Sequence, residues 1–132
     1  RTLSTVATLK TRILQIRHLK HSETVGYSRK GTLKKASTIA AIPIGYADGL
    51  DRHLGNRAGY CLVNGQKAEY VGNICMDVAL IDVTDINCSE GDEVEIFGRN
   101  LPVTVLSDKL GTIPYEVLTS ISPRVKRVYY SE

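Results

Sequence analysis

The chain has 132 residues, long enough for one domain with a hydrophobic core of its own and no need of disulfide or metal staples. Hydrophobic residues make up 42% and charged residues 23%, both near globular averages, and no apolar run of about 18 residues is available to span a bilayer. Seventeen Lys and Arg against fourteen Asp and Glu leave a net charge of +3, too small a surplus to imply nucleic acid unless it gathers on one face.

No charged stretch followed by an apolar stretch and a small-residue cleavage site opens the chain, so no secretory signal is expected. Arg1 stands where a complete product carries Met, which reads as an excised piece of a longer polypeptide. Cys61, Cys75 and Cys88 are odd in number and lack CxxC spacing. That argues against a disulfide framework or a structural zinc site and fits a reducing cytoplasm.

Short apolar runs rich in Val, Ile and Tyr recur about every ten residues between Gly, Asn and Asp, the pattern of an all-β barrel or sandwich. In chain order, strands are expected near Ala7 to Arg17, Ser37 to Ile44, Gly59 to Val63, Gln66 to Val71, Val78 to Val83, Glu93 to Phe97 and Val125 to Tyr130. Asn64-Gly65 separates the third and fourth of these and predicts a tight hairpin, because both residues of a type I′ turn need positive φ. Helix is expected twice: as a turn after Gly49, and from Ser107 to about Leu118, interrupted where Pro114 forbids an interior hydrogen bond. The loops at Ser28 to Lys35 and Ile86 to Gly91 are too short for linkers, so residues 1–132 read as one domain.

Two basic clusters remain. Arg29, Lys30, Lys34 and Lys35 surround one glycine, and Arg124, Lys126 and Arg127 lie near the end; neither is interleaved with aromatics, and both read as solvated loop or strand edge. His18, His21 and His53 show no metal-ligand spacing with the cysteines or carboxylates. No phosphate-binding glycine loop and no GxSxG elbow is present.

Four segments carry the chemistry: Val25-Gly26-Tyr27-Ser28, Ile42-Pro43-Ile44-Gly45-Tyr46-Ala47-Asp48-Gly49, Val71-Gly72-Asn73-Ile74-Cys75-Met76-Asp77 and Gly111-Thr112-Ile113-Pro114-Tyr115-Glu116-Val117. In order and spacing, from about Leu9 to Tyr130, the chain resembles the alanine racemases. The resemblance implies a Greek-key-like β-barrel domain with one or two short helices, following a (β/α)8 barrel that holds pyridoxal 5'-phosphate on a lysine. It also implies a head-to-tail homodimer, in which this domain meets the barrel of its own and of a second protomer. L-alanine and D-alanine would be interconverted to supply peptidoglycan precursors in the cytoplasm, with no membrane or nucleic-acid partner.

In that family the tyrosine matching Tyr27 is the catalytic base facing the substrate α-carbon, with the cofactor lysine on the opposite face. Inverting a carbon without moving the substrate requires a proton removed from one face and another delivered to the other. An ordinary phenol titrates at about 10, so a tyrosine base at neutral pH needs cationic neighbours. The resemblance further implies that the Met76 backbone N–H donates to the substrate carboxylate, with Asp77 as an orienting acid. Tyr115 would reach the cofactor phosphate, and Tyr46 would narrow the mouth of the site, rejecting side chains larger than methyl. Arg52 and Ile113 would form the next layer outward. Asn73 departs from the family, which usually carries Arg there, and removes a positive charge beside the mouth.

Read from the residues alone, Met76 is as well explained by core filling, Asp77 by a turn-stabilising carboxylate, and Gly45 and Gly49 by ordinary tight turns in which glycine allows a positive φ. Two further functional readings stand beside alanine racemase: a broad-specificity amino-acid racemase of the same fold, and a non-catalytic β-barrel module binding nucleic acid or protein through its basic loops.

Overall fold

A computed structural model describes residues 5–19, 24–25, 31–32, 37–111 and 128–131. Its strands are β1 (Thr5–Arg12), β2 (Gln15–Leu19), β3 (Thr24–Val25), β4 (Gly31–Thr32), β5 (Ser37–Ile42), β6 (Tyr60–Val63), β7 (Gln66–Glu69), β8 (Ala79–Asp82), β9 (Glu93–Phe97) and β10 (Val128–Ser131). One α-helix, α1 (Val103–Leu110), and two single 3-10 turns, Tyr46–Asp48 and Arg52–Leu54, complete the described elements.

All pairings are antiparallel. Five strands form one sheet in the order β10-β1-β9-β6-β7, three form a second in the order β2-β5-β8, and β3 pairs with β4. Among the described residues an isolated bridge, Tyr70 to Ile81, links the end of β7 to β8 and so the two larger sheets, with Val71 donating to Leu80 O beside it. The expected mainly-β domain is borne out; among the described residues its strands lie in two antiparallel sheets, and their ladders do not close into a barrel.

The expected strand from Ala7 to Arg17 is two strands, because the chain changes sheets in its middle. Ile13 donates its amide to Asp92 O, on the side of β9, and Leu14 donates to Ala41 O in β5. The switch falls between Ile13, which is buried, and Leu14, which is exposed; with two adjacent apolar residues and no Gly or Pro to mark it, the sequence reads as one run. β5 stops at Ile42, since Pro43 has no N–H to continue a ladder. The hairpin between β6 and β7 turns at Asn64 (φ 50) and Gly65 (φ 79), as its sequence requires, with Val63 opposite Gln66.

The described helix begins at Val103, earlier than the expected Ser107. Pro102 precedes it, with φ preset for a first turn, and its carbonyl accepts the Val105 amide. Its expected continuation past Gly111, the start of the last strand before Val128, and both basic clusters lie outside the described residues. The β3–β4 ladder was not expected: two residues per strand leave no periodic pattern to read.

Between the sheets, Leu9, Ile42, Ile44, Cys61, Val63, Tyr70, Ile81, Val94, Ile96 and Phe97 pack into one core. Each buried aliphatic of this kind contributes about 1.5–3 kcal/mol relative to exposure. Burial pushes the Cys61 thiol up to about 12. The Tyr70 hydroxyl is buried in the same region and forms no well-aligned hydrogen bond.

Candidate active site

The chain leaving β5 folds back at once. Ile44 donates to Ile42 O, and residues 45–50 close a compact turn in which Asp48 N donates to Gly45 O at 3.0 Å and Leu50 N to the same oxygen at 3.2 Å. Asp48 is buried, and its Oδ2 accepts the Gly45 amide at 3.0 Å. Two amides of this turn, those of Tyr46 and Ala47, donate to the Cys75 and Met76 carbonyls at 2.9 and 3.0 Å.

Gly45 makes this junction possible. Its φ of −149° is ordinary extended backbone, so the expected positive φ is not the reason for glycine here. A Cβ at position 45 would lie 2.2 Å from Cys75 O and 2.5 Å from Met76 O, and backbone cannot yield that space. Gly49, by contrast, does take a positive φ, 106°, and donates to Tyr46 O.

On the far side of the junction, the Cys75 amide donates to Val78 O and closes a loop with Met76 and Asp77 exposed at its tip. Met76 is 52% exposed, which rules out core filling. Its carbonyl is taken by Ala47, whereas its N–H has no hydrogen-bond partner among the described residues. A backbone amide left without a partner in an exposed residue at a loop tip is a ready donor to an anion.

Tyr46 is also exposed, and the Arg52 guanidinium lies over its ring, 5.5 Å from the centroid. The 3-10 turn that carries Arg52 is capped by Asp51, which accepts the His53 amide at 2.8 Å. Asn73 is held rather than loose: its Oδ1 accepts from Asn56 Nδ2 at 3.0 Å. Asn56 (φ 53) donates its backbone amide to Gly72 O, so the segment after Arg52 is fastened to the segment leading from β7 to Met76.

The structure thus brings Tyr46, Arg52, Met76 and Asp77 to one end of the three-stranded sheet, where β5 ends and β8 begins. Tyr27, Ile113 and Tyr115 lie outside the described residues. Sequence reasoning did not single out Asp48 or Asn56. The signal for Asp48 was a carboxylate three residues after a glycine, a common turn pattern; Asn56 gave none.

Residues 6–129 match the model of a family described as alanine racemase, C-terminal domain. The chain belongs to that family. It is 42% identical over 125 residues to the alanine racemase of Rickettsia bellii, covering 92% of this chain and 30% of that protein. To alanine racemase 1 of Caldanaerobacter subterraneus it is 44% identical over 125 residues, covering 91% and 32%. The alanine racemase of Bartonella henselae, solved with covalently bound pyridoxal phosphate, superposes with a TM-score of 0.84 at 39% identity, over 89% of this chain and 33% of that one. The Bacillus anthracis alanine racemase with bound L-Ala-P gives 0.83 at 32% identity, over 89% and 31%.

The chain therefore spans about a third of the length of the alanine racemases it matches. For an alanine racemase C-terminal domain, the segments around Tyr46 and Met76 are those that the fold has just been seen to fasten together. Their pairing is set by backbone hydrogen bonds and the absence of a Cβ at Gly45, so it does not depend on the identity of the exposed side chains. Among the described residues, no helix is long and apolar enough to cross a membrane.

Proposed function

We propose that this chain is the C-terminal domain, residues 1–132, of a cytoplasmic alanine racemase, and that it completes an active site whose cofactor lysine belongs to a (β/α)8 barrel. The observation that carries this reading is the Met76 amide, unpaired among the described residues and carried by an exposed residue, in a chain whose family is that of alanine racemases.

Pyridoxal 5'-phosphate, when bound, supplies the electron sink that makes an α-proton removable. The donors this chain offers among its described residues suit a carboxylate-bearing substrate: the Met76 N–H at a loop tip, beside a phenol stacked under a guanidinium. Tyr115 is the residue assigned to the cofactor phosphate. Its phenol would donate a hydrogen bond without adding charge.

The division of labour then follows. Met76 holds the carboxylate of alanine through its backbone, and Asp77 orients the same loop. Tyr27 exchanges a proton with one face of the α-carbon while the barrel lysine serves the other. Tyr46 limits the side chain to about the size of methyl, with Arg52 and Ile113 as the layer outside it. Asn73, tethered to Asn56, leaves that layer less positive than in most of the family. Membership of the alanine racemase family adds the barrels of the same and of a second protomer as partners, in a homodimer.

The test is direct. The intact protein supplied with pyridoxal 5'-phosphate should interconvert L- and D-alanine, and the 132-residue chain alone should not. D-alanine formation by the isolated chain, or an intact protein that binds the cofactor and leaves alanine unchanged, contradicts the reading. Equal rates on serine and larger amino acids would favour the broad-specificity alternative.

A further inference from the structure

Asp48 is a carboxylate only 6% exposed, in a loop that otherwise serves an exposed site. A buried charge is costly unless it is hydrogen-bonded, and Asp48 accepts the Gly45 amide at 3.0 Å while its own amide returns to Gly45 O. A hydrogen bond to an ionised acceptor is roughly twice as strong as a neutral one. The carboxylate therefore holds the 45–48 turn in one shape.

That shape has a consequence at Met76. The turn presents the Tyr46 and Ala47 amides to the Cys75 and Met76 carbonyls. The Cys75–Met76 peptide is trans and planar, so its N–H points opposite to its carbonyl. Fixing Cys75 O toward the turn aims the Met76 N–H away from it, where no described residue takes it up.

We propose that Asp48 is a positioning residue for substrate: by closing the 45–48 turn it sets the direction of the Met76 amide and so the affinity for the α-carboxylate. The proposal rests on the Met76 reading above. It acts through backbone geometry, so it concerns binding of the carboxylate and leaves the proton transfers to other groups.

The experiment uses the full-length holoenzyme with Asp48→Ala, Asp48→Asn and Gly49→Ala. Propionate, which is alanine without its amino group, serves as a carboxylate probe alongside steady-state kinetics on alanine. Loss of one well-aimed amide to an anion corresponds to about tenfold in affinity. Asp48→Ala is expected to raise KM and the propionate inhibition constant by about that factor, with kcat within about twofold of the parent. Asp48→Asn, which keeps an oxygen acceptor, should recover most of the loss. Should Asp48→Ala give no folded holoenzyme, Gly49→Ala strains the same turn at φ 106 and should shift both constants in the same direction.

KM and propionate inhibition unchanged in Asp48→Ala and Gly49→Ala, or a fall in kcat alone, overturns the proposal. Replacing the residue-76 amide by an ester, which substitutes oxygen for N–H, separates the two levels. If the ester leaves propionate binding intact, the Met76 reading fails. If the ester weakens binding and the turn variants do not, only the role of Asp48 fails.

Discussion

The Arg52 guanidinium lies 5.5 Å above the ring of Tyr46, and the backbone amide of the same tyrosine is bonded to Cys75 O at 2.9 Å. The backbone bond anchors the residue and the guanidinium covers its ring, at a position 40% exposed to solvent. A cation over an aromatic face contributes about 0.5–1 kcal/mol at such exposed sites, enough to bias one ring orientation.

Tyr46→Ala should therefore widen the mouth. In the intact enzyme, the ratio of kcat/KM for serine to that for alanine is expected to rise by about tenfold, the scale of one or two methylene-sized contacts. An unchanged ratio would mean that the phenol does not select by size.

Two glycines should respond to alanine for different reasons. Gly65 sits at φ 79 with open space around it, so Gly65→Ala meets only backbone strain of about 1–2 kcal/mol and should leave catalysis alone. Gly45 is unstrained but hemmed by the Cys75 and Met76 carbonyls, and Gly45→Ala should cost about 1–3 kcal/mol or more while also weakening alanine binding. Urea denaturation midpoints together with KM distinguish the two. A Gly45→Ala enzyme with normal stability and normal KM would mean that the two loops are not fastened as described.

Much of this arrangement was legible in the sequence, and its gaps have physical causes. The hairpin at Asn64-Gly65 was readable because a type I′ turn is a local demand on φ. The run from Ala7 to Arg17 was readable as strand but not as two, since hydrogen-bond partners change from the β9 side to β5 at Ile13-Leu14, where no Gly, Pro or other turn residue marks the switch. Gly45 looked like a turn glycine because the atoms that exclude a Cβ belong to Cys75 and Met76, far along the chain. Met76 looked like core filler by composition alone, and only the family's motif pointed to its backbone.

Asp82 joins the two sheets electrostatically. Its burial raises the carboxyl's pKa, but hydrogen bonds from Thr84 and the Arg57 guanidinium at 3.0 Å outweigh this and hold it below the ordinary value. Arg57 also binds Glu69 at 3.0 Å. A lowered native pKa adds stability that is complete above the unfolded value, about 4, and is lost as pH falls through the native one. Arg57 is 44% exposed, so Arg57→Met should cost only about 1 kcal/mol at pH 7. The loss should shrink below about pH 4, as the carboxylates protonate in both proteins. A difference that stays constant down to pH 2 would contradict the ion pair as its source.

The Tyr70 hydroxyl and the Cys61 thiol share a dry core, and neither is needed as a charge. Tyr70→Phe removes a buried hydroxyl that forms no well-aligned hydrogen bond, so stability should be unchanged or higher by about 1 kcal/mol. With its thiol pushed up to about 12, Cys61 should resist alkylation at pH 8 in the native protein and react after unfolding. Rapid native labelling of Cys61 would show that this part of the core is open to solvent.

On the proposed function this domain supplies the proton-transfer group for one face of the substrate, and Tyr27→Phe in the intact enzyme tests that role most directly. Cofactor absorbance should be preserved while racemisation falls by several orders of magnitude, and exchange of the α-proton with solvent should survive from the lysine side only. Near-normal turnover in both directions would contradict it.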